Sequence, residues 1–139
     1  VPDRPFSPVI ALLTVAAVWD ANLGRQLRDL GLTTRKYGLL AHLEATPGIS
    51  FSELARRSQI TVQSAHTAVQ TLVADGLVAD ATKHAGAASD LRVTARGNEV
   101  LRAAEQRLAT LDAELSSGAP GLATALKGLH EQPFGMARE

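Results

Sequence analysis

The chain has 139 residues, 45% of them hydrophobic, and no cysteine. That length and apolar content suit one packed domain rather than a disordered segment, and the missing cysteines exclude a disulfide framework, a thiolate metal site and a thiol redox switch. Basic and acidic residues balance at 14 each for a net charge of +0, which is low for a chain whose partner is nucleic acid. No apolar run reaches the ~20 residues of a membrane span. Val9 to Val18 is apolar over one helix face only and does not read as a signal peptide, so the expected location is the cytoplasm.

The first element is a helix over residues 7–29, with Ser7 as N-cap, Pro8 in the first turn and Gly31 as the terminating glycine. Ile10, Leu13, Ala17, Leu23 and Leu27 lie roughly on its apolar face. A second helix is predicted over 34–45, capped by Thr33 and stopped by Pro47 and Gly48. Ser50-Phe51-Ser52-Glu53 has the S-x-x-E form of a capping box and opens a short helix through Ser58. Gln59 and Ile60 make a tight turn. Thr61 then caps a helix to about Asp75, whose inward face is expected to be Val62, Ala65, Val69, Leu72 and Val73.

After Gly76 the period changes. Residues 77–82 and 91–93 are β-compatible, and the small, turn-prone stretch 83–90 joins them as a hairpin. Thr94 caps a long helix to about Ser116. Its Leu101, Ala104, Leu108, Leu111 and Leu115 form a heptad-like seam that asks for a partner helix. Gly118 and Pro120 interrupt the chain, and Leu122, Leu126 and Leu129 mark a final helix, followed by a loosely ordered tail from Gln132. The fold class is therefore mainly α with a small β-hairpin: a helix-turn-helix followed by a wing.

Helix-turn-helix chemistry is geometric, with the second helix of the pair entering the major groove while the first braces it. The polar face of the helix starting at Thr61 offers Thr61, Gln63, Ser64, His66 and Thr67 to base edges, and glutamine is a fair reader of adenine. Residues 61–82 contain no lysine or arginine, so phosphate contact falls to Arg56 and Arg57 on the bracing helix and to Lys83, His84 and Arg92 in the wing. For each of these the alternative is a solvated surface residue. So few cations predict weak DNA binding with a shallow salt dependence.

The order of elements, with Gly31-Leu32-Thr33, Pro47-Gly48-Ile49-Ser50, Glu53-Leu54-Ala55, Leu72-Val73-Ala74-Asp75-Gly76-Leu77-Val78 and Val93-Thr94-x-x-Gly97, resembles the MarR family over residues 7–130. The resemblance implies one domain over 1–139, with a winged lobe at about 33–97 and dimerisation helices at 7–30 and 98–130. It also implies a homodimer that binds double-stranded DNA as a repressor and is released by a small aromatic ligand. The family commonly carries an Asp-Arg-Arg-like run in the wing, where this chain has Ala85-Gly86-Ala87.

Ile10, Leu13, Leu101, Leu108, Leu111 and Leu115 are the expected dimer interface. Trp19, Tyr37 and His42 are candidates for a ligand pocket, with core or interface packing as the alternative. The four histidines do not have metal-ligand spacing, and no motif points to an enzyme, a metal or a cofactor. The competing function is a winged-helix module for protein partners that has lost DNA binding.

Overall fold

Five hydroxyl side chains set where the helices begin in the computed structural model, which describes residues 3–131. Ser7 accepts from the N–H of Ile10 (3.3 Å) ahead of α1 (Pro8–Leu27), and Thr33 accepts from Lys36 (3.1 Å) ahead of α2 (Thr34–Ala45). Ser50 accepts from Glu53 (3.1 Å) ahead of α3 (Phe51–Ser58), and Thr61 from Ser64 (3.0 Å) ahead of α4 (Val62–Ala74). Thr94 accepts from Gly97 (3.0 Å) ahead of α5 (Ala95–Gly118). Each cap satisfies an N–H that the helix itself cannot, worth about 1 kcal/mol. A last helix, α6, spans Pro120–Glu131.

The expected capping box at Ser50 is only half formed. The Ser50 hydroxyl plays its part, but the Glu53 carboxylate turns to Arg56 and Arg57 instead of back to the cap. Two cations one turn ahead hold it more strongly than one neutral N–H.

The described residues fall into two compact units, one ending at Glu105 and the other starting at Gln106. The first holds the main core: Leu27, Leu39, Leu40, Leu43, Leu54, Leu72, Leu91 and Leu101 are fully buried. Each contributes roughly 1.5–3 kcal/mol of apolar burial. Leu101 was expected at a dimer interface, but it is 0% exposed within one chain and belongs to this core. A heptad-like spacing marks a buried stripe without saying which neighbour buries it. Arg102, the next residue, bonds Glu44 of α2 and Glu105 (2.6 Å), which ties this part of α5 to α2.

The buried arc of α4 is narrower than the sequence suggests. Ala65, Val69 and Leu72 face the core, while Val62 and Val73 are 43% and 37% exposed. Val62 stands in the first turn, beyond the core's edge, and Val73 turns toward the hollow beside the wing.

The wing is a two-stranded antiparallel sheet, β1 (Val78–Asp80) and β2 (Leu91–Val93), with Val78 opposite Val93 and Asp80 opposite Leu91. The first strand is shorter than expected because Asp80 takes the Thr82 N–H (2.9 Å) and hydroxyl (2.5 Å) into a local turn. These bonds also draw the Asp80 carboxyl below its ordinary range. At the tip, Ala87 N–H reaches His84 O (3.0 Å) and Gly86 takes φ +84°, the position where a type II turn wants glycine.

Thr94 and Gly97 fix the base of the wing. The Thr94 hydroxyl donates to Gly76 O (2.7 Å) and its N–H to Leu77 O (3.0 Å). That same Leu77 carbonyl lies 2.1 Å from where a β-carbon on Gly97 would sit. The glycine in Val93-Thr94-x-x-Gly97 is thus a requirement for close approach of the α4–β1 turn to α5.

In the second unit Leu111 is buried, Leu108 and Leu115 are half-buried, and α6 exposes Leu126 and Leu129. None of the helices among the described residues is long and apolar enough to cross a membrane.

Candidate nucleic-acid interface

The turn between α3 and α4 is built from a non-glycine residue in a conformation that favours glycine. Gln59 has φ +53°, the one positive φ outside glycine among the described residues. It lets Gln59 N–H reach Arg56 O (3.2 Å) and Ile60 N–H reach Ala55 O (3.0 Å), closing the exposed carbonyls of α3. Thr61 follows at once as the cap of α4, so the two helices are joined with almost no slack.

On α4 the residues expected to read bases divide by what they already do. Thr61 and Ser64 are bound to each other: the Thr61 hydroxyl donates to Ser64 Oγ (2.9 Å) while accepting the Ser64 N–H. Thr67 donates to Gln63 O (3.1 Å) within its own helix and keeps lone pairs free. Among the described residues the exposed Gln63 amide has no hydrogen-bond partner. His66 departs from the expectation. It stacks on Phe51 of α3, with ring centroids 3.7 Å apart and planes at 19°, so its ring braces the helix pair rather than the outer face.

The basic residues are mostly paired. Arg56 donates to both Glu53 oxygens (2.9 and 2.5 Å), and Arg57 donates to Glu53 (2.9 Å) and to Thr46 Oγ1 (2.9 Å). Hydrogen bonds from Arg56 and then Arg57 lower the Glu53 carboxyl to about 2, and Glu53 in turn raises the Arg56 guanidinium. The three groups together present one net positive charge with both guanidiniums fixed in place. Their i,i+3 and i,i+4 spacing is a helical ion-pair pattern visible in the sequence. In the wing Arg92 pairs with Asp90 (3.0 Å), and His84 Nδ1 lies 3.1 Å from Ala85 O. Lys83 is exposed, with no partner among the described residues.

A second feature escapes local sequence reading. A cleft of ≈ 970 Å³ opens between α1, the start of α2 and the α3–α4 turn, with Arg25, Arg28 and Arg35 against one carboxylate, Asp20, in its lining. Of the expected pocket residues His42 lines this cleft, but Trp19 and Tyr37 do not. Tyr37 packs against the main core and Trp19 is half-buried on α1. Arg25 lies in the last turn of α1, Arg28 opens the 3-10 turn after it and Arg35 lies in the first turn of α2, so the tertiary fold is what brings Arg35 to the other two. Among the described residues no group of three His, Asp or Glu could hold a metal.

Along α1, Ile10, Leu13, Thr14, Ala17, Val18 and Ala21 form an open apolar trough. Ile10 and Leu13, both expected at a dimer interface, are 62% and 59% exposed, and Val9, Leu12 and Val18 are also exposed.

Comparison with known proteins fits this geometry. Residues 30–86, spanning α2 to the wing tip, match the model of the MarR family. The HTH-type transcriptional repressor Rv2887 of Mycobacterium tuberculosis is 33% identical over 105 residues, 75% of this chain and 76% of the relative. This chain belongs to the MarR family. The MarR protein Rv2887 has been solved in complex with DNA, and this chain matches that structure at TM-score 0.74 and 28% identity, over 95% of this chain and 100% of the other. It matches the salicylic acid complex of the same MarR protein at TM-score 0.70 and 30% identity, over 94% and 97%. The MarR fold and the repressor relatives place the chain among transcription regulators with a winged helix-turn-helix.

Proposed function

We propose that this chain is a homodimeric repressor that reads double-stranded DNA and is released when a small aromatic carboxylate occupies the arginine cleft. The observation that carries the reading is its match, over nearly its whole length, to a MarR repressor solved with DNA. The chemistry agrees. Gln63 and Thr67 present free hydrogen-bonding capacity on the outer face of α4, suited to base edges in a major groove. The Glu53–Arg56–Arg57 cluster and Lys83 supply the phosphate contacts, with Arg92 available where a phosphate competes with Asp90.

The exposed apolar side of α1 supports the dimer, because a stripe of that length is a liability unless a partner covers it. Residues 33–97 then act as the reading lobe, while 7–30 and 98–130 join the two subunits. The half-buried Leu108 and Leu115 remain on the interface side of that division, while Leu101 and Leu111, both buried within one chain, leave it. Cytoplasmic action follows from a DNA target.

Three guanidiniums facing one carboxylate suit an anion, and the MarR relative was solved with salicylic acid. A hundredfold loss of operator affinity needs about 2.7 kcal/mol of coupling between cleft and DNA.

One observation favours the second reading, a winged module for protein partners: Arg56, Arg57 and Arg92 are already ion-paired within the chain. Selection from a random duplex library at low and moderate salt separates the two. The repressor enriches a two-fold pseudo-palindrome with half-sites about 10 bp apart. No enrichment at low salt would leave the interaction module.

A further inference from the structure

The arginine cleft shares a wall with the helix-turn-helix. Ser58, the last residue of α3, and Gln59 and Ile60 of the turn that follows line it together with Arg25, Arg28 and Arg35. Within that wall one group is out of place. The Ser58 hydroxyl oxygen is shielded from solvent and has no hydrogen-bond partner, the one side-chain polar atom so placed among the described residues. A serine near a helix end ordinarily donates to a carbonyl one turn back. A buried hydroxyl left unmade costs about 1–3 kcal/mol.

The adjoining residue is also held at a cost. Gln59 takes the left-handed conformation at φ +53°, which a residue with a β-carbon adopts at a penalty. Strain of this kind persists where the surroundings fix it and is concentrated at ligand clamps and switches.

We propose that Ser58 is the effector-sensing residue of the helix-turn-helix: its hydroxyl donates to the carboxylate of a ligand held by the cleft arginines, and so couples the ligand to the start of α4. This rests on the proposed ligand reading of the cleft. The bond requires a turn about Cα–Cβ to a staggered position that faces the cleft, which Ser58 lines. No protein hydrogen bond is lost by that movement, because none is made. The ligand then bridges α1 and α2, through the arginines, to the one segment that orients α4 against DNA. Salicylate can make this bridge. Phenol, which has the ring and hydroxyl without the carboxylate, cannot.

The test uses the full chain with Ser58→Ala and, separately, Arg35→Ala. Salicylate and phenol binding are measured by calorimetry, DNA binding by anisotropy on a selected operator with and without salicylate, and Tm by circular dichroism. Ser58→Ala is expected to weaken salicylate binding about tenfold, the scale of one hydrogen bond to a charged group. It also shrinks the salicylate-induced loss of DNA affinity and leaves Tm unchanged or higher. Salicylate binding that Arg35→Ala weakens but Ser58→Ala does not would overturn the role of Ser58 while sparing the cleft. Weakened binding with an unchanged DNA release ratio would overturn the coupling. A lower Tm in Ser58→Ala would show that the hydroxyl has a partner in the fold, and would overturn the proposal too. No salicylate binding by the unsubstituted chain, or equal binding of phenol, would overturn the ligand reading and this inference with it.

Discussion

Gly97→Ala should destabilise the chain out of proportion to the one methyl group it adds. The new β-carbon would lie 2.1 Å from Leu77 O, 2.8 Å from Val93 Cγ1 and 3.0 Å from Leu77 C. Two of these atoms are backbone, and the Leu77 carbonyl is held by the Thr94 N–H at 3.0 Å. Relief therefore requires the α4–β1 turn and α5 to separate by about 1 Å, which overpacking data put at roughly 1–3 kcal/mol. Weakening the Thr94 bonds to Leu77 O and Gly76 O adds about 1 kcal/mol. The better helix propensity of alanine returns up to about 1 kcal/mol. The net loss is about 1–3 kcal/mol, or a Tm lower by about 3–12 °C for a chain of this size. Thermal unfolding by circular dichroism, at one fixed protomer concentration because dimerisation shifts Tm, reads it directly. A Tm within 1 °C of the unsubstituted chain would refute the close approach.

Three further outcomes follow from the same geometry. The Glu53 carboxyl is lowered to about 2 in the folded chain, so its contribution to stability is complete above its ordinary value near 4.5 and is lost as pH falls toward 2. Urea midpoints between pH 6 and 2.5 should fall less steeply in Glu53→Gln than in the unsubstituted chain, and parallel curves would contradict the pairing. His66→Ala should lower stability by about 0.5–1.5 kcal/mol through loss of the Phe51 stack. It should leave the salt dependence of DNA binding unchanged, whereas a reduced slope would return His66 to the DNA face. Leu13→Asp, placed on the exposed side of α1, should shift sedimentation from dimer to monomer at micromolar concentration; a persistent dimer would move the interface elsewhere.

Local chemistry was legible in the sequence because caps and turns depend on neighbours three or four residues away. Ser7, Thr33, Ser50, Thr61 and Thr94 all sit where their spacing puts them, and Gly31 and Gly76 both have positive φ. Side-chain direction was less accessible. Val62 and Val73 have the right period for the core but fall at the edges of the arc that α4 buries. His66 lies among polar residues of α4, and nothing local shows that Phe51, fifteen positions earlier, stacks on its ring. The pairing of Glu53 with Arg56 and Arg57 follows a readable spacing. The arginine cleft does not: Arg35 joins Arg25 and Arg28 only after the chain turns at Arg28–Leu30 to set α2 beside α1. Of the three candidate pocket residues, His42 lines the arginine cleft, while Tyr37 packs against the core and Trp19 lies elsewhere on α1.

The most direct test of the account is the salt dependence of binding to the selected operator. In the proposed function α4 meets DNA without a single lysine or arginine, helped by few cations per lobe: Lys83, the singly charged Glu53–Arg56–Arg57 cluster and a partly neutralised Arg92. Each neutralised phosphate contributes about −0.9 to the slope of log K against log salt. Roughly two to four phosphates per lobe give a dimer a slope of about −4 to −7. A slope in that range, for a two-fold site bound specifically, is the predicted result. A slope near −10 or steeper would show that a larger set of cations reaches the backbone, and would contradict the assignment of the reading surface made from this structure.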